Sequence, residues 1–173
     1  MALTKLQAGG VASNLLASNL SLSGTSTSIN VDPTGYNHLL IYIYHTDAGS
    51  SYELSVRFNS DSGSNYKYMR TVEDANGSAS VDGGVTTSLF LNQTGAAGFA
   101  SGTTNNYHVI KAFFVNENDV WKTIESNTIQ DTGSADVQMF NAAHWRNTAA
   151  VSSVQVISTV ALTSGEIKIY GVF

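Results

Sequence analysis

The chain has 173 residues, enough for one domain with its own core and short for two. Charged residues make up 12%, about half the usual share of roughly 25%, and Ser, Thr, Asn and Gly fill the gap. A net charge of −5 with eight scattered basic residues argues against a nucleic-acid surface, and zero cysteines exclude disulfides and thiolate metal sites.

The first residues, Met1 to Leu6, lack the charged segment and uninterrupted apolar core of a signal peptide. No run approaches the roughly 18 apolar residues of a membrane span. The expectation is a chain made and assembled in the cytosol, with no membrane partner. Val11 to Leu22 carries Leu15, Leu16, Leu20 and Leu22 among Ser, Ala and Asn. That stretch reads as a short helix, an arm packing on a neighbouring subunit, or a strand closing the domain. Residues 1–25 are therefore set apart as an N-terminal arm or closing segment, and 26–173 as the domain proper.

From residue 26 onward a period of two dominates, the signature of strands. Ser26 to Val31 is a short strand ended by the turn Asp32-Pro33-Thr34-Gly35. His38 to Tyr44 is apolar on both faces and predicts a central strand covered on both sides. Tyr52 to Phe58 alternates cleanly, breaks at Asn59 to Asn65, and resumes as Tyr66 to Arg70, the pattern of a β-hairpin with an elaborated polar tip. Asp74 to Gly84 reads as loop by composition, Val85 to Leu91 as a strand, and Asn92 to Asn106 as a long connecting loop. Strands follow at Tyr107–Val115, Val120–Ile124, Val137–Phe140, Val151–Leu162 and Glu166–Val172. Nine or ten regularly spaced strands predict an all-β, antiparallel β-sandwich of jelly-roll type.

Little in this pattern suggests chemistry. His38, His45, His108 and His144 each stand alone in sequence, without metal-ligand spacing. No serine sits in a nucleophile elbow, and Glu53, Asp61, Glu73 and Asp74 fall where solvated charges are the default. The expectation is a protein that is not an enzyme and has no cofactor. Asn59, Asp61 and Asn65 offer side-chain oxygens around Gly63, which a Ca²⁺ ion could use. Asx side chains bonding their own backbone explain the same residues more simply. Trp121 and Trp145 lie near turns and are the first aromatic candidates for contact with a sugar or a protein, against the alternative of buried core tryptophans.

Several segments together resemble a domain recurring in tailed-bacteriophage virion proteins. They are Gly35-Tyr36-Asn37-His38-Leu39-Leu40-Ile41, Arg57 to Tyr66, Trp121-Lys122-Thr123, Trp145-Arg146-Asn147, and the closing Gly165-Glu166-Ile167-Lys168-Ile169-Tyr170-Gly171-Val172. The Arg-Phe-Asn-x-Asp-x-Gly-x-Asn-Tyr element is the most specific. The resemblance spans residues 28 to 173 and carries no catalytic residues. It implies a jelly-roll-like module assembling as a homotrimer or on a symmetric lattice, found in capsid decoration proteins, head fibres and tail components. A single module with a short N-terminal extension favours a decoration (cement) protein bound to the major capsid protein. A tail-associated module recognising host glycans is the alternative. The expected contact residues are Leu15, Leu16, Leu20, Asn59, Asp61, Asn65, Trp121 and Trp145.

Overall fold

The computed structural model describes residues 6–8, 11–46, 52–74, 79–92, 105–131 and 136–173. It is the antiparallel β-sandwich expected, with two sheets of unequal size. The strands are β1 (Leu6–Ala8), β2 (Val11–Asn19), β3 (Gly24–Asn30), β4 (His38–Thr46), β5 (Leu54–Phe58), β6 (Tyr66–Asp74) and β7 (Ala79–Thr86). They continue as β8 (Leu89–Phe90), β9 (Asn105–Phe113), β10 (Lys122–Asp131), β11 (Asp136–Trp145), β12 (Ser153–Leu162) and β13 (Ser164–Val172). The larger sheet has nine strands in the order β1-β2-β13-β4-β9-β10-β11-β6-β7, and the smaller has four in the order β3-β12-β5-β8.

Alternation along each strand builds the core. Leu39, Ile41 and Ile43 of β4, Ile110 and Ala112 of β9, and Ile167 and Ile169 of β13 point inward from the large sheet. They meet Leu54, Val56 and Phe58 of β5 and Val154 and Val156 of β12. Each buried branched or aromatic side chain contributes about 1.5–3 kcal/mol over leaving it exposed.

Several expectations change. The segments on either side of residues 59–65 do not form a hairpin. Instead β5 pairs with β12 and β8 in the small sheet, while β6 pairs with β11 and β7 in the large one. The polar stretch is a corner that carries the chain between layers. Strand β4 is central, but only one face is covered, since Tyr42 is exposed on the other. The polar run 79–84, expected as loop, belongs to β7 at the edge of the large sheet, where solvated side chains are tolerated. The strand expected at Val85–Leu91 is divided between the end of β7 and the short β8, with Thr87 and Ser88 between them. Most of the long loop at 92–106, like residues 75–78, lies outside the described residues. Residues 11–19 form β2, antiparallel to β13 with a register shift at Ile169/Tyr170.

The closing Tyr170-Gly171 finds its partner in Tyr36. A Cβ on Gly171 would come within 2.6 Å of the Tyr36 ring, so glycine is what lets that ring lie on the strand. Tyr36 also packs against Phe173 with ring centroids 4.7 Å apart. Two of the segments that carry the virion resemblance thus touch one another.

Candidate functional site: the outer face of the large sheet

The corner at 59–65 is built for structure. Asn59 and Ser60 both take positive φ, 53° and 54°, and Asp61 N–H donates to the Phe58 carbonyl at 3.0 Å, closing a tight turn. Gly63 has no positive φ to accommodate; a Cβ there would strike the Asn65 side chain at 2.9 Å. Asn59 Oδ1 accepts from the Ser152 and Ser153 amides at 2.7 and 3.1 Å, and its Nδ2 donates to the Ala150 carbonyl at 2.8 Å.

Asp61 is surrounded by donors. They are Gly63 N–H (2.9 Å), Asn65 Nδ2 (2.9 Å), Trp145 Nε1 (2.7 Å) and Asn147 Nδ2 (3.4 Å). Burial pushes this carboxyl up, but those hydrogen bonds outweigh it and hold it below the usual aspartate range. A shell of N–H groups suits a fixed carboxylate; a Ca²⁺ ion needs a shell of oxygens.

The expected contact residues therefore divide. Leu15 and Leu20 are 52% and 67% exposed, whereas Leu16 packs partly on the core. Trp121 is 54% exposed. Trp145 is fully buried between Phe58 and Tyr66, so an outside partner cannot reach it. Asn59, Asp61 and the Asn65 side-chain amide nitrogen make their hydrogen bonds within the chain.

A larger surface emerges where no single motif marks the chain. Because β4, β9, β10, β11, β6 and β7 are in continuous register, their outward side chains form cross-strand rows. One row runs Lys168-Tyr42-Val109-Asn127-Phe140-Thr71-Val81. Its neighbour runs Tyr170-Leu40-Lys111-Glu125-Ala142-Met69, and the third Glu166-Tyr44-Tyr107-Ile129-Gln138-Glu73. Tyr42, Tyr107, Ile129, Phe140, Met69 and Val81 are all exposed here.

Two shallow concavities lie on this face. One, of about 560 Å³, is lined by Met69, Val81, Val109, Phe140 and Ala142, with Lys111, Glu125 and Asn127 among its polar groups. The other, of about 500 Å³, is walled by Tyr42, Tyr44, Tyr107 and Tyr170 beside Glu166 and Lys168. Tyr42 meets Tyr170 edge-on at 5.9 Å and Tyr44 lies 5.1 Å from Tyr107, centroid to centroid. Tyr44 Oη donates to Asn105 Oδ1 at 3.0 Å, and Lys168 Nζ pairs with Glu166 Oε1 at 2.9 Å. The signal in sequence was the doubly apolar run at 38–44, whose second face proves to be this surface.

The fold also joins two histidines that sequence kept apart. His45 and His108, both fully buried, approach Nε2 to Nε2 at 3.0 Å.

No known protein family matches the chain, and no curated protein sequence does. Among solved structures it is similar to a mutant of the alginate lyase Aly36B in complex with alginate trisaccharide, at 8% identity and a TM-score of 0.29 over 93% of this chain and 84% of that one. It is similar to an exo-inulinase from Aspergillus awamori at 11% identity and a TM-score of 0.32, over 98% of this chain and 34% of that one. The CBM2 module of the evolved Dit of Lactobacillus casei BL23 phage J-1 gives 11% identity and a TM-score of 0.28, over 97% of this chain and 79% of that one. At these values none of them bears on what this chain does.

Proposed function

We propose that this chain is a structural protein of a tailed-phage virion, of the capsid-decoration type. It docks on major-capsid subunits through the outer face of its large sheet and assembles as a homotrimer. The observation that carries the reading is the apolar and aromatic outer face, left open in the single chain. Soluble monomers rarely expose contiguous apolar patches beyond a few hundred Å² unless a partner covers them. Three lysines, Lys67, Lys111 and Lys168, are set on that face among five carboxylates, Glu73, Glu125, Asp131, Asp136 and Glu166. A mosaic of apolar side chains with charges of both signs suits a broad protein contact, and many copies on a lattice turn modest binding per site into a stable shell. Electron microscopy of the intact particle tests this: density at the shell supports the reading, and density confined to the tail tip overturns it.

A second reading rests on the tyrosine-walled concavity. Tyr42, Tyr44, Tyr107 and Tyr170 beside the Lys168–Glu166 pair offer ring faces and hydrogen-bonding groups suited to a sugar. A tail-associated module would use it to bind host glycans. A glycan array probed with wild type and with Tyr42→Ala and Tyr107→Ala separates the two. Specific binding lost in the variants favours the glycan reading.

A further inference from the structure

We propose that His45 and His108 form an acid-sensitive latch that holds one end of the sandwich closed. The ring planes are 7° from parallel with centroids 5.2 Å apart, which exceeds the 3.0 Å nitrogen separation by about two ring radii. The imidazoles are therefore coplanar and head to head, with their Nε2 lone-pair directions on one line. That geometry fits a single proton between two nitrogens, and it leaves no room for a metal ion to be bound by both. On the far side of the pair His108 Nδ1 lies 2.9 Å from Thr128 Oγ1. Tyr52, just before β5, sets its ring edge-on to His45 at 5.5 Å. The chain of contacts thus ties β4 to β9 and β10 and reaches the segment entering the opposite sheet.

The pair works only while neutral. One added proton places a cation in a buried layer, and a second sets two N–H groups face to face, so the contact must open. Tyr52 is the other titratable group facing the rings among the described residues. The charged groups on the surrounding strands alternate outward: Glu53 beside Tyr52, Asp131 at the end of β10, and Glu166 and Lys168 on β13. Burial lowers His45 to about 4, and burial together with the His45 ring holds His108 well below 6.5. Both groups bind protons more weakly folded than open. Stability is therefore full above about 6.5, the open-state value, and falls as pH drops toward 4.

Hydrogen exchange along β4 and β9, measured from pH 8 to 5, tests the latch. With two protons taken up on opening, the opening constant corrected for intrinsic exchange rises by on the order of 10²- to 10³-fold between pH 7 and 5. In His45→Gln and His108→Gln that rise shrinks by tenfold or more in each. An equal rise in wild type and variants would overturn the proposal. If the variants do not fold, imidazole ¹⁵N shifts of wild type decide the matter. Both rings neutral down to the loss of structure is the expected result, and a ring titrating near 6.5 in the intact fold overturns it.

Discussion

Trp145 Nε1 donates to Asp61 Oδ2 at 2.7 Å, across 84 positions of sequence. The bond fastens the corner that leaves the small sheet to the last residue of β11 in the large one. Arg146 continues the join, its amide donating to the Asn65 carbonyl at 2.8 Å and its Nη2 to the Ser64 carbonyl at 2.9 Å. Asn59 secures the other side of the corner to the strand entry at Ser152 and Ser153. Two segments that carry the virion resemblance thus form one joint between the layers.

Asp61→Ala removes the acceptor shared by four donors and strands the buried indole N–H. The expected cost is roughly 3 kcal/mol, read as a lowered denaturant midpoint at unchanged slope. The folded carboxyl titrates below 3.8, so its contribution is full above that value and is lost as pH falls through the folded one. Wild type therefore loses stability in that acid range through this group, and the variant does not.

Gly171→Ala forces a methyl group into the Tyr36 ring. It is expected to cost about 1–3 kcal/mol. Tyr36→Ala clears the space, so the double variant is expected to lose less than the sum of the two single ones. A double-mutant cycle on unfolding free energies checks this.

Lys122 is fully buried, and its ammonium donates to the carbonyls of Glu117, Val120 and Thr148 at 2.5, 2.9 and 3.0 Å. It pins the turn after β9 to the segment after β11. Lys122→Met keeps the methylene packing but abandons three carbonyls, an expected loss of roughly 2–4 kcal/mol by chemical denaturation.

Phe140→Lys and Met69→Lys alter only the exposed outer face. Each is expected to change unfolding free energy by less than about 0.5 kcal/mol while weakening attachment to the particle. Paired denaturation and binding measurements on the same preparations separate the two effects.

Period-two patterning made most strands readable, because an inward residue at every second position is a local property. The corner shows where that ends. Turn chemistry at Asn59 and Ser60 announces a reversal, yet nothing local states that Tyr66 will stack beside Trp145 in the other sheet. The polar strand β7 was hidden because an edge strand need not bury its side chains. Tyr42 and Tyr107 were visible as aromatics, but their grouping depends on the register β4 takes with β9. The His45–His108 contact likewise spans 63 positions and has no signature in spacing.

Co-sedimentation of the purified protein with capsid shells lacking it tests the central proposal most directly. Wild type is expected to bind saturably, and the folded double variant Met69→Lys/Phe140→Lys to remain in the supernatant. Equal binding by both proteins, or wild type that ignores shells and binds tails, would contradict it.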